Sequence, residues 1–254
     1  MRSGVRLVVA FIVLLAVALP AQALKIGGTT VVVPVVMHGS GKGTSQWRTD
    51  VWVTNPSNVA KNLTLTYYPQ SGAPVTRALA IGIYTTIELR DIVLTRFGSN
   101  NSKGILVMTT TTSSHFEARA RIYNVGNPAG EFGQFLPGLG DGELGTQNLL
   151  PGVTGVDGNR ANVGIANYHD VPAQVYVDVK TGTNETLKSF VLDLQPHQLL
   201  QVNDIFTAWG VPPQGNVVVQ VTSTSYDTRV YAYASIVRND SGDAITILPS
   251  SPNS

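Results

Sequence analysis

Five aromatic side chains are the residues of this sequence best suited to meet a ligand: Trp47, Trp52, Tyr68, Tyr231 and Tyr233. An outward ring on a sheet can stack on a sugar ring or anchor a protein partner. Alternation around Trp47, Trp52 and Tyr68 puts them outward or in loops. The same reading puts Tyr231 and Tyr233 on the outward face of their strand. The competing assignment packs these rings beneath a linker or against another domain.

Residues that do covalent or metal chemistry are sparse. The cysteine count is 0, which removes disulfides, thiolate ligands and thiol nucleophiles. The histidines are His38, His115, His169 and His197, none with a second histidine at a ligand spacing, so no zinc site is expected. His38-Gly-Ser-Gly-Lys-Gly-Thr44 glances at a phosphate loop, but Lys42 is followed by Gly43 and no helix pattern follows. Ser40 lies in Gly39-Ser40-Gly41 rather than in a Gly-x-Ser-x-Gly elbow. The acidic turns Asp141-Gly-Glu143, Asp157-Gly-Asn159 and Asp240-Ser-Gly-Asp243 do not fit the calcium loop with alternating oxygen ligands. Asp and Asn also favour turns for local backbone reasons. His115, Glu117, Arg119 and Arg121 share one strand face and read as its solvated side. No catalytic residue, metal ligand or cofactor is assigned.

The elements that must position the aromatics are strands. Val51 and Val53 face one way, with Asp50, Trp52 and Thr54 on the other side. Leu63, Leu65 and Tyr67 alternate with Thr64, Thr66 and Tyr68, and Val175, Val177 and Val179 with Tyr176 and Asp178. Phe116, Ala118, Ala120 and Ile122 repeat the pattern. A period of two marks a strand with one buried face. Turn clusters such as Asn55-Pro56-Ser57-Asn58 and Pro212-Pro213-Gln214-Gly215 punctuate it. Two short helices are expected, Asp91–Phe97 and Asp204–Trp209, with the aspartates as N-caps and Gly98 and Gly210 as stops.

The pattern occurs twice. Arg48-Thr-Asp50-Val-Trp-Val53-Thr-Asn55 aligns with Arg160-Ala-Asn162-Val-Gly-Ile165-Ala-Asn167. At a nearly constant offset, Asp91-Ile92 meets Asp204-Ile205 and Phe116–Ile122 meets Val230–Ile236. Such a repeat predicts two domains of one fold. The fold class expected is all-β: two tandem immunoglobulin-like antiparallel β-sandwich domains, each with one short crossover helix. The boundaries are 24–137 for the first repeat, 138–147 for a Gly-rich linker and 148–254 for the second. In this alignment Trp52 stands where the second copy has Gly164, so the first copy carries an aromatic that the fold does not require.

Composition bounds the rest. Of 254 residues, 43% are hydrophobic and only 13% charged, which excludes a disordered chain. A formal net charge of +1 offers no electrostatic footprint for nucleic acid. Residues 1–23 read as a signal peptide: Arg2 and Arg6, an apolar stretch from Leu7 to Leu19, Pro20, then Ala21-Gln22-Ala23 before the cleavage point. That stretch is too short for a comfortable span, and no transmembrane segment is expected in the mature chain.

Val33-Pro34-Val35-Val36, Trp47-Arg48-Thr49-Asp50, Val53-Thr54-Asn55-Pro56, Tyr233-Ala-Ser235 and Ser241-Gly-Asp243 resemble a family of secreted bacterial proteins, largely uncharacterised, built from paired immunoglobulin-like repeats. The resemblance covers most of the mature chain and implies the fold and export, with no catalytic residues. Val53-Thr-Asn55-Pro56-Ser57 is also similar to periplasmic pilus chaperones. The expectation is an exported, non-enzymatic binding, adhesion or structural module, periplasmic or extracellular. Its partner would be a protein or glycan of the cell envelope. The alternatives are an accessory carbohydrate-binding module and a periplasmic assembly chaperone lending an edge strand.

Overall fold

A computed structural model describes residues 27–41, 43–140 and 144–250. The signal-peptide reading of 1–23, the cleavage after Ala23 and the middle of the Gly-rich join lie outside the described residues. The first half contains β1 (Thr30–Ser40), β2 (Gln46–Asn55), β3 (Lys61–Pro69), β4 (Val75–Ile81), β5 (Thr85–Leu89), α1 (Ile92–Thr95), β6 (Ser102–Thr110), β7 (Glu117–Asn124), β8 (Phe132–Pro137) and β9 (Leu139–Gly140). The second contains β10 (Gln147–Val153), β11 (Asn159–Asn167), β12 (Ala173–Thr181), β13 (Thr186–Leu194), β14 (Leu199–Val202), α2 (Ile205–Trp209), β15 (Val217–Ser223), β16 (Val230–Arg238) and β17 (Ala244–Ile247). The chain is all-β with antiparallel pairing throughout, as the alternation predicts.

Strand order repeats between the halves. The first reads β4-β3-β6-β1 and, around the end of β1, β2-β7-β8 with β5 on β2. The second reads β13-β12-β15-β10 and β14-β11-β16-β17. In an immunoglobulin constant-type sandwich the first two strands lie side by side. Here β1 lies beside β6 and touches β2 only at its end, through Gly39↔Trp47 and Ser40↔Gln46. That tip joins the first half's two faces into one sheet, whereas β10 stops at Val153 and leaves two separate sheets.

Each half has its own apolar core. Val31, Val33, Val51, Val53, Leu63, Leu65, Leu106 and Phe116 lie in the first. Leu150, Val163, Ile165, Val175, Val177, Val219 and Val230 lie in the second. Burying a side chain of this size contributes about 1.5–3 kcal/mol before entropy is counted. Equivalent polar residues fix equivalent loops. Buried Asn55 donates from Nδ2 to Val59 O and Gly82 O, both at 2.8 Å. Asn167 does the same to Val171 O at 2.9 Å and Gln195 O at 3.0 Å. The Asn-centred motif of the sequence is therefore structural. Asp50 Oδ1 accepts from Asp91 N at 2.8 Å, and Asn162 Oδ1 from Asp204 N at 3.0 Å. These bonds hold the two N-cap residues in left-handed conformations, φ 43° and 48°. Neither aspartate caps its helix through its side chain, which corrects the capping role expected for them.

A third apolar cluster joins the halves. Val32, Val35 and Ile105 on the outer face of β1 and β6 meet Ala166, Tyr168, Leu199, Tyr231 and Tyr233. Ile122 and Leu136 extend the contact. Strand β16 is consequently buried on both faces from Val230 to Val237. Tyr231 Oη donates to Pro137 O at 3.0 Å, and Ser235 Oγ to Gln134 Oε1 at 2.9 Å. The Gly-rich join takes part: Leu139 and Gly140 pair with Val32 and Val31, and Leu144 is buried in the cluster.

This contact accounts for the Trp52/Gly164 difference. Trp52 pairs with Arg119, and Gly164 pairs with Tyr233. A Cβ on Gly164 would lie 2.2 Å from the Tyr233 ring, which is only 2% exposed and has nowhere to move. Where the first half puts a large ring on β2, the second puts it on β16 and needs glycine beneath. Gly164→Ala is expected to cost about 1–3 kcal/mol in a denaturant melt by overpacking. Tyr233→Ala added to it should recover the strain component; simple additivity would contradict this account.

Candidate functional site

A cleft of about 910 Å³ opens between the halves. Its walls come from the end of β1, the β1–β2 turn, the start of β6, the β7–β8 region, the start of β11 and the β16–β17 turn. Most ligand pockets are lined chiefly by apolar side chains. This one is lined by carboxamides and hydroxyls, among them Asn101, Asn124, Asn127, Asn162, Gln134, Gln201, Ser40 and Ser102. Many are already oriented. Asn124 Oδ1 accepts from Gln46 N at 2.7 Å and Gly126 N at 2.9 Å, and Asn127 Nδ2 donates to Ser241 O at 2.6 Å across the halves. Groups held this way can offer their remaining donors and acceptors at fixed positions to hydroxylated ligands.

Two rings line this cleft, Trp47 and the buried Tyr233, and Trp47 is the more open of them. It shares a β2 face with Val51 and Val53 but stands beyond their core, half-buried against the inter-half cluster. The turn after β1 runs close over it: a Cβ on Gly41 would lie 2.3 Å from Trp47 Nε1, so glycine lets the backbone approach the indole. At the floor nearby, His38 Nδ1 lies 2.8 Å from Asp91 Oδ1 and 2.9 Å from Oδ2, with Arg48 Nε 3.6 Å from Oδ2. Tyr123 Oη donates to Asp50 Oδ1 at 3.2 Å; burial, then the Asp50 charge, pushes its phenol up to about 12.

The structure separates the five aromatics. Trp47 and Tyr233 line the cleft. Tyr68 sits elsewhere along the inter-half contact, stacked on His197 of the second half with centroids 3.7 Å apart and planes 9° apart. Tyr231 and Tyr233 are 0% and 2% exposed, packed against the other half as the competing assignment has them. Alternation turned them away from their own core correctly, but the first half covers that face. Trp52 lies on the opposite face of β2 from Trp47, half-exposed, with its ring centroid 6.0 Å from that of Phe135.

Sequence reasoning missed the carboxamides of the cleft and the His38–Asp91 pair. Their positions are scattered over many strand ends, and each alone reads as ordinary turn chemistry. Among the described residues no three His, Asp or Glu side chains gather as a metal site, and no helix is long and apolar enough to cross a membrane. No protein-family model matches the chain, and no curated protein matches it.

Proposed function

We propose that the protein is an exported, non-enzymatic binding module of the bacterial envelope or exterior, and that a glycan is the partner its inter-half cleft accepts. The observation that carries this reading is the cleft itself: oriented carboxamides and hydroxyls around Trp47, the more open of its two rings. Sugar hydroxyls match that donor and acceptor set, and a sugar ring stacks on indole. The immunoglobulin-like, two-repeat description belongs to the same proposal, supported by the repeated strand order.

The test is a glycan array followed by calorimetry on the hits. Truncating an aromatic anchor commonly costs 2 kcal/mol or more, about thirtyfold in Kd. Trp47→Ala should lose that much with its β-sheet circular dichroism retained, and Trp47→Phe should keep most of the affinity. Trp52→Ala, on the other face of β2, should leave glycan affinity unchanged. Equal losses from Trp47→Ala and Trp52→Ala would move the site off the cleft. A blank array with capture of an envelope protein by the Trp52 face would overturn the glycan reading.

A further inference from the structure

We infer that the saccharide bound in this cleft carries an anionic group, a carboxylate or a sulfate, received by the ammonium of Lys103; this rests on the glycan reading above. Lys103 stands near the start of β6, paired in register with Met37 of β1, and lines the cleft. Among the described residues the other charges there already have partners. His38 is held by Asp91, Arg160 Nη1 donates to Asn239 Oδ1 at 2.7 Å, Asp204 Oδ2 accepts from Thr207 Oγ1 at 2.8 Å, and Asp240 pairs with Arg238 at 2.9 Å. Among the described residues Lys103 Nζ has neither an ion pair nor a hydrogen bond.

Burial works against that charge and holds the Lys103 ammonium below the usual lysine range. A half-buried cation with no protein counter-ion, opening on a cleft of neutral polar groups, is matched by a ligand that brings one anion among many hydroxyls. Such a ligand would restore what desolvation removes, in a setting where a charge-assisted hydrogen bond is stronger than at an open surface.

The experiment titrates the full mature chain with three probes: a uronic-acid oligosaccharide, the same oligosaccharide after carboxyl reduction, and a sulfated oligosaccharide. Wild type should bind at least one anionic probe about tenfold more tightly than the neutral one at low salt. Lys103→Gln should abolish that preference, and Lys103→Arg should keep it. A preference for uronate or for sulfate supports the inference and names the anion. Equal binding of reduced and anionic probes, with Lys103→Gln silent and Trp47→Ala still damaging, would overturn the inference and spare the glycan reading. Binding of none of the three, with a blank array, would overturn both.

Discussion

Tyr231→Ala is expected to lower the unfolding free energy by about 3–5 kcal/mol, the range for removing a large buried aromatic. Tyr231 is 0% exposed and lies where the two halves meet, so its removal leaves a cavity lined from both sides. It also leaves Pro137 O without the Tyr231 hydroxyl, a bond of 3.0 Å. Tyr231→Phe isolates that bond and should cost about 1–3 kcal/mol, the penalty of an unsatisfied buried acceptor. Because the ring belongs to neither half's own core, weakening it should also broaden or split the denaturant transition as the halves uncouple. A loss below about 1 kcal/mol for Tyr231→Ala would mean that the contact between halves contributes little to stability.

Raising the pH above 10 should unfold the protein steeply. Burial is the main cause that pushes the Tyr67 phenol up to about 12, offset in part by its hydrogen bond with Ser102. Burial likewise drives Tyr231 and Tyr233 far above the ordinary tyrosine value of 10.0. Tyr123, more open to solvent, is shifted to about 12 and contributes less. A fold that favours the neutral phenol keeps its proton where the unfolded chain has lost it. Stability is therefore intact below pH 10 and falls as pH rises toward 12, by roughly 1.4 kcal/mol per pH unit for each fully buried tyrosine. The absorbance of the buried tyrosines as tyrosinate should rise in one cooperative step together with the loss of circular dichroism. Tyr231→Phe and Tyr233→Phe should each make that loss shallower. Complete ionisation of Tyr67, Tyr231 and Tyr233 in a chain that stays folded would contradict the burial assigned to them.

Strands and their inner faces were legible because each half must bury one face of every sheet, and that requirement writes a period of two. Val175, Val177 and Val179 were placed correctly by it. What alternation cannot state is whether the other face is open or covered. Tyr231 and Tyr233 face away from their own core, as alternation has it, and the first half covers them. Two signals in the sequence did carry the answer. The unbroken apolar run from Val31 to Val36 is the pattern of a strand buried on both sides. Glycine at 164, opposite a tyrosine, marks a ring lying over a strand. The glycines of 138–147 suit a join, but close packing accounts for two of them. A Cβ on Gly138 would stand 2.6 Å from Val31 Cγ1, and one on Gly140 2.3 Å from Gly27 O. The cleft stayed hidden because its polar groups converge from strands distant in sequence, and only the docking of one half on the other brings them together.

Strand β1 also governs the order in which the chain can assemble. It precedes the other strands among the described residues, yet beyond its tip on β2 its ladder partners are β6 and β9, and β9 ends at Gly140. During synthesis Val31 to Val36 must wait for their main partner until β6 (Ser102–Thr110) has been made. Loops of that length make closure slow, and in the second half β10 must wait for β15 across a comparable separation. A waiting segment of consecutive valines is also a template for wrong pairing between chains. Pro34 interrupts it, at a register shift between Val33 and Val36 where the native ladder can dispense with an N–H. The residue that accommodates an irregularity in the finished sheet therefore also guards the unfinished chain against aggregation.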